Sequence, residues 1–249
     1  MAAFADDRQE LVVGLFDRGA DVPPERRIFD IGTWKPLRSG IWTPYVVNFR
    51  PALSIDTHST LPVQRQRLFK SLLLEAIGDE LDMLTSDDGI TVDHIFGPPQ
   101  AGTALASAVS GISGHSLLWQ RLQEEGNPKT YGNHCELEGI YHPSQNVVEV
   151  DDVITTGGAK KAGRDFLAAY GLSVPAVVIG FDREQGGREG IESDGLHLRA
   201  ALGATATFAY LRDARRITKT EHDYLVEYTQ SPAPLSKPAD HPWKHANRY

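Results

Sequence analysis

Cysteine is nearly missing: Cys135 stands alone among 249 residues. That count excludes an intramolecular disulfide and a multi-cysteine metal cage. A nucleophilic role for Cys135 would need a base held against it, and although His134 adjoins it in sequence, neighbouring side chains often point apart. Positive charge is also short. The 25 Lys and Arg against 33 Asp and Glu leave a formal charge of -8, which disfavours sequence-blind binding to nucleic acid or to an anionic membrane surface. An anionic ligand must therefore be held by local donors. Long apolar runs are absent, and the longest falls far short of a membrane span. The opening MAAFADDRQE lacks the basic and then apolar order of a secretory signal, so the expected location is the cytoplasm. There is no internal repeat.

What is present suffices for a sizeable core, since 41% of residues are hydrophobic. Leu11, Val12, Leu15 and Phe16 recur at helical spacing and predict a helix over 7–19, closed by Gly19. The stretch 27–54 alternates β-prone pieces with Gly and Pro turns, as a small hairpin-like lobe would. Thr60 and Pro62 open a long helix with Leu68, Leu72, Leu73, Ala76, Ile77 and Leu81 on one face, stopped by SDDG at 86–89. From there strands alternate with helices: strands at 90–96, 116–121, 146–150, 174–181 and 196–202, helices near 102–112 and 157–170. That order predicts an α/β fold with a mostly parallel sheet flanked by helices.

Two stretches break the alternation. Residues 123–139 are polar and rich in Gly and Asn, too long for an ordinary connection and so either a functional mobile loop or local disorder. Thr218 and Glu221 have capping-box spacing and open a last helix through Tyr228, and 231–249 form a proline-rich tail. A single domain over 1–230 is expected, with that tail following it.

The stretch VVEVDDVITTGGAK (147–160) carries the chemistry. It reads as a buried strand that delivers Asp151 and Asp152 to its carboxyl end, where ligands sit in open parallel sheets. Thr155, Thr156, Gly157, Gly158 and Ala159 follow, offering hydroxyls and unhindered N–H groups at a helix start. Such groups hold a phosphate dianion. Carboxylates beside a phosphate site make sense for a sugar phosphate, because ionised Asp accepts from ribose hydroxyls while the glycine loop holds the phosphate some way off. The plain alternative is an acidic helix cap before a glycine turn.

That stretch resembles the ribose-phosphate motif of the type I phosphoribosyltransferases. FDREQGG (181–187), PLRSGIWTPYVVNFR (36–50) and DARRITKTEHDYLVEY (213–228) resemble, in order, segments of the orotate phosphoribosyltransferases, and the likeness runs over about 10–229. The resemblance implies the type I phosphoribosyltransferase fold with a small N-terminal hood lobe near 27–54. It also implies transfer of ribose 5-phosphate from phosphoribosyl pyrophosphate (PRPP) to orotate, giving orotidine 5'-monophosphate and pyrophosphate. Magnesium would be the cofactor, held mainly by PRPP oxygens and water, with no carboxylate cage on the protein.

By the same resemblance, Asp151, Asp152, Val153, Ile154 and the loop through Ala159 bind PRPP, together with Arg38, Gln100, Ala101, Arg121, Lys129 and Tyr131. Lys129, Asp151 and Asp152 are the implied catalytic residues. Arg183 meets the orotate carboxylate, aided by the backbone of Val46 and Val47 and by Thr155. A bland role for Arg183 is a salt bridge to Asp182 or Glu184. The 123–139 loop would close over the neighbouring active site of a homodimer. HIFGPPQAGTALASA (94–108) resembles the pyrophosphate-cradling turn, with Gly97 and Gly102 permitting close backbone approach. Ala101 and Leu122 stand where relatives often carry basic residues, and the segment from Arg121 to Lys129 is about four residues longer than usual. A type I transferase for another base and a non-catalytic PRPP-binding regulator are the rival readings. Two smaller expectations are that the tryptophans are core or lobe anchors, and that the prolines beside His241 and His245 argue against a helical metal site there.

Overall fold

Helix α2 (Val63–Ser86) shows how the chain sorts its faces. Gln66, Phe69, Leu73, Ala76, Ile77, Leu81 and Leu84 recur at steps of three and four and are buried. Leu68 was expected on that face but is 43% exposed; one residue from Phe69 is about 100° around the helix, and the larger ring takes the inward place. The helix starts at Val63, three residues beyond Thr60. Its first turn is secured by Gln66, whose Nε2 donates to the carbonyls of Asp56 and Leu61, both at 2.8 Å, while its Oε1 accepts from the Asp56 N–H at 2.8 Å.

The computed structural model describes residues 2–17, 27–37, 42–99, 101–121, 136–155 and 158–231. The chain divides into two compact units. One comprises Met1–Leu73, Phe181–Gln185 and Leu202–Tyr249, and the other Leu74–Gly180 and Gly186–Ala201.

The first unit holds α1 (Ala2–Asp17), the antiparallel pair β1 (Phe29–Pro36) and β2 (Trp42–Val47), a 3-10 turn at Arg50–Leu53, and helices α6 (Ala204–Asp213) and α7 (Lys219–Gln230). Helix α1 begins earlier than its apolar spacing suggested. Gly14 lets α1 lie directly on the Phe69 ring, which a Cβ at that position would strike. The core here is aromatic: the Tyr45 ring meets Phe208, Tyr228 and Phe181 edge-on, at centroid distances of 5.0, 6.0 and 6.2 Å. Edge contacts of this kind add about 0.5–1.5 kcal/mol each beyond area burial. Trp34 is buried against Tyr224 and Tyr228, as an anchor of the lobe should be. The predicted capping box forms, Thr218 accepting from the Glu221 N–H and Glu221 from the Thr218 N–H.

The second unit is built on a sheet of six strands, ordered β5-β4-β3-β6-β7-β8. They are β3 (His94–Gly97), β4 (Ser116–Gln120), β5 (Leu137–Glu138), β6 (Val147–Ile154), β7 (Ala176–Asp182) and β8 (His197–Gly203). Strands β7 and β8 end in residues grouped with the first unit. Helices α3 (Ala101–Ser113), α4 (Gly158–Ala168) and α5 (Gly187–Ser193) connect them. Strand β3 pairs in parallel with β4 and β6, whereas β5 is antiparallel to β4. All seven residues of β7 are buried, and the six before Asp182 form the continuous apolar run of a strand covered on both faces.

Several expectations are corrected. The first sheet strand begins at His94, not at residue 90, because Asp93 is occupied in bridging to Asn146, accepting its N–H at 2.7 Å. Residues 137–138, assigned to the long loop, form β5. The short helix α5 precedes β8, where no helix was expected from sequence. Trp119 is 39% exposed on the outer part of the sheet, unlike the anchoring role expected of it.

Candidate active site

From β3 the chain proceeds through α3 to β4 on one side, and from β6 through α4 to β7 on the other. The strand order therefore reverses between β3 and β6, the point at which open sheets of this kind take ligands beyond the carboxyl ends of their strands. Gly97 ends β3. Strand β6 continues through Asp151, Asp152, Val153 and Ile154, so the acids lie within the last half of the strand and not after it, as their position behind Val150 had suggested.

Both aspartates are half-buried and aimed by the backbone. Asp151 Oδ1 accepts the Asp152 N–H at 2.8 Å, and Asp152 Oδ1 accepts the Val153 N–H at 2.8 Å. A carboxylate fixed in this way presents acceptors in a set direction, as recognition of vicinal hydroxyls requires.

The turn from β3 into α3 packs against this strand end. A Cβ on Gly102 would stand 3.0 Å from Asp151 Oδ1 and 3.1 Å from the Val150 carbonyl, and one on Gly97 would strike Gly102. Thr103 closes the turn, its N–H donating to the Pro98 carbonyl at 2.9 Å and its hydroxyl lying 3.0 Å from the Gly97 carbonyl. Ala101 opens α3 and is partly buried. On the other side, Gly187 at the start of α5 packs on the end of β6, where a Cβ would lie 2.7 Å from the Thr155 carbonyl. Two turns thus converge on 151–155. Gly158 and Ala159 begin α4, the helix whose N-terminus was expected to take the phosphate.

Arg121, assigned by resemblance to pyrophosphate, forms an ion pair with Glu138 across β4 and β5. Arg38, Gln100, Lys129, Tyr131, Thr156 and Gly157 lie outside the described residues, as do His134, Cys135, His241 and His245.

A second cluster belongs to the first unit. Arg183, 2% exposed, lies with its guanidinium 4.1 Å from the centre of the Tyr45 ring. Its Nε donates to Gln185 Oε1 at 3.0 Å, one terminal nitrogen to Thr43 Oγ1 at 2.6 Å, and the other to the Tyr45 carbonyl at 3.5 Å. Those three contacts leave two of the five guanidinium N–H groups without a bond among the described residues. The expected alternative, a salt bridge to Asp182 or Glu184, does not form: among the described residues Arg183 makes no ion pair, Asp182 accepts the Glu184 N–H at 2.8 Å, and Glu184 bonds Thr205. Burial pushes the Tyr45 phenol well above its ordinary value, with the adjacent Arg183 charge acting in the opposite direction.

Strand alternation sorts the backbone groups assigned to the base. The Asn48 N–H donates to the Ile28 carbonyl at 2.8 Å, so the bonded pairs are Ile28 with Asn48 and Asp30 with Val46. Val46 therefore turns its polar groups toward β1. Val47 and Tyr45 turn theirs away, and the outward Tyr45 carbonyl is the one that meets Arg183. Of the two valines, only Val47 has its backbone polar groups directed away from β1. Tyr45, Thr43 and Gly187 were not singled out from sequence, and Glu184 was named only as a possible partner of Arg183, since its positive φ has no sequence signal.

Among the described residues no group of three or more His, Cys, Asp or Glu could hold a metal ion. None of the described helices is long and apolar enough to cross a membrane.

No family model matches the chain. The uridine 5'-monophosphate synthase of Bos taurus is 23% identical over 223 residues, 90% of this chain and 41% of that protein. The orotate phosphoribosyltransferase of Thermococcus gammatolerans is 31% identical over 122 residues, 49% of this chain and 62% of that protein. The chain thus spans less than two thirds of either relative's length. The solved orotate phosphoribosyltransferase of Mycobacterium tuberculosis H37Rv, in complex with PRPP, is 24% identical with a TM-score of 0.53, covering 81% of this chain and 98% of that one. The fold is that of the type I phosphoribosyltransferases. Within that class, the chain is similar in sequence to orotate phosphoribosyltransferases and to uridine 5'-monophosphate synthases.

Proposed function

We propose that the protein transfers ribose 5-phosphate from PRPP to orotate, yielding orotidine 5'-monophosphate and pyrophosphate in pyrimidine biosynthesis. The observation that carries this is the pair Asp151 and Asp152, oriented by main-chain N–H groups at the strand-order reversal. Their carboxylates accept the ribose hydroxyls, and the N-terminus of α4 takes the 5-phosphate. In the reaction the bond from the anomeric carbon to the pyrophosphate oxygen breaks, its electron pair leaving with pyrophosphate. The deprotonated ring nitrogen of orotate supplies the pair for the new carbon–nitrogen bond. Carboxylates held at the ribose also favour the cationic sugar as charge separates; one preorganised group of this kind contributes on the order of 3 kcal/mol.

The choice of base rests on Arg183. A buried guanidinium with no carboxylate partner among the described residues is costly unless a ligand supplies one, and its fork suits the orotate carboxylate. Magnesium would be carried in by pyrophosphate and hydroxyl oxygens, and among the described residues no group of three or more His, Cys, Asp or Glu could hold a metal ion. Such an ion would neutralise charge on the leaving group. Under this proposal the protein acts in the cytoplasm as a homodimer, with Lys129 on a loop that closes over the partner's site.

Incubation with PRPP, magnesium and a panel of bases, following pyrophosphate release, tests the proposal. Release with orotate is expected. Release with a purine and not orotate rejects the acceptor, and PRPP binding without release on any base would make the protein a regulator.

A further inference from the structure

Glu184 adopts φ +56°, a left-handed conformation that side chains other than glycine rarely take. Glycine would be the default residue here, and Gly186, at φ +86°, fills that role two positions on. Glutamate at 184 supplies something glycine cannot. Its Oε2 accepts the Thr205 N–H at 3.1 Å and the Thr205 hydroxyl, tying the turn to the first residues of α6. Gly203 leaves the space, since a Cβ there would fall on Glu184 Oε1. On the other side of Arg183, Asp182 Oδ1 accepts the Glu184 N–H at 2.8 Å. Both acids next to Arg183 in sequence are thereby directed elsewhere.

We infer that Glu184 is a positioning residue for substrate recognition: by locking this turn onto α6 it keeps its own carboxylate and that of Asp182 off Arg183, leaving the guanidinium to pair with the acceptor's carboxylate. The inference rests on the proposed orotate reaction for its use, though the turn itself is independent of that reading. Among the described residues, the polar contacts of the guanidinium are neutral, to Gln185, Thr43 and the Tyr45 carbonyl. A neutral shell positions a cation without neutralising it. An adjacent carboxylate would compete with the ligand for the same N–H pair.

Three variants and two readouts test this. Glu184→Gly suits the backbone angle but removes the carboxylate; Gly203→Ala displaces the carboxylate without removing it; Glu184→Gln keeps an acceptor oxygen. The first two should raise KM for orotate about tenfold, the loss of one well-placed charged hydrogen bond, with kcat and KM for PRPP little changed. Glu184→Gln should stay near wild type. The second readout needs no substrate: in 15N-labelled protein the Arg183 Nε–H should exchange slowly in the wild type and lose that protection in Glu184→Gly. Unchanged protection in that variant overturns the inference. So does a fall in Tm with both KM values moving together, which is the behaviour of a simple helix cap. Should the wild type not use orotate, the proposed function falls, while the exchange measurement still decides the role of Glu184.

Discussion

Gly102 lies against Asp151 so closely that a Cβ on the glycine would stand 3.0 Å from Asp151 Oδ1, 3.1 Å from the Val150 carbonyl and 2.5 Å from Pro98 Cδ. The carboxylate is the flexible group of the three, but the contact with the Pro98 ring, the shortest, can be relieved only by a shift of the turn that carries Gly102. Gly102→Ala should therefore disturb the turn and the ribose site together. Overpacking costs about 1–3 kcal/mol, and if Asp151 absorbs it, kcat/KM for PRPP should fall roughly 5- to 150-fold. Steady-state kinetics beside a melting curve checks this. A large loss of Tm with unaltered kcat/KM would show that the turn alone yields.

Asp152 allows a cleaner test, because Asn keeps the shape and the acceptor that bonds the Val153 N–H. What Asn lacks is the negative charge. Hydrogen bonds to charged groups contribute about 1.5–3 kcal/mol, so Asp152→Asn should lower kcat/KM for PRPP by about 10- to 150-fold. The melting temperature should hardly move. Equal kinetics in the variant would mean that the ribose hydroxyls are gripped elsewhere.

The reversal of strand order at β3 and β6 was legible in sequence only as an alternation of strands and helices, whereas Asp151 and Asp152, which the fold places there, stood out directly. Asp151, Asp152 and the glycines behind them are a local pattern, and local patterns survive in one dimension. Contacts that close over distance do not. Arg183 could be assigned to a carboxylate by its type, but its partners Thr43 and Tyr45 lie about 140 positions earlier in the chain, and no spacing announces them. The β2 alternation that favours Val47 over Val46 depends on which pairs of β1 and β2 are hydrogen-bonded, a property of register. Leu68 lost its inward place to Phe69 because helical periodicity alone does not settle which of two adjacent apolar residues turns inward. Strand β6 ran past Val150 because polar residues at the mouth of a crevice can remain hydrogen-bonded in the sheet.

Arg183→Lys separates charge from fork. Lysine keeps the cation but presents a single point of attachment, loses the planar contact with the Tyr45 ring, and cannot span Gln185 and Thr43 as the guanidinium does. KM for orotate should rise by about 10- to 100-fold, the equivalent of one bidentate contact at about 1.5–3 kcal/mol. KM for PRPP should change little. Because Arg183 is part of the aromatic core of its unit, a drop in Tm is also expected, and the split between the two KM values distinguishes recognition from loosened packing. Parallel rises in both would remove Arg183 from base recognition.

Stability at low pH should depend on Asp88. Its carboxylate accepts from Arg199 Nε at 2.6 Å, joining the segment after α2 to β8, and the hydrogen bond and charge of Arg199 hold it below the ordinary carboxylate range. A depressed folded-state value means the ionised form is favoured by folding. The contribution is therefore complete above the unfolded value of about 4 and is lost as pH falls through the lower folded value. Asp88→Asn removes it, while Glu80 and Asp87 still face Arg199 at 3.4 and 3.5 Å and limit the damage. Urea midpoints from pH 7 down to about 3 should show the variant less stable than wild type at neutral pH, with the gap narrowing as the wild-type carboxyl takes up its proton. A gap that stays constant across the range would mean that shape, not charge, is what Asp88 supplies.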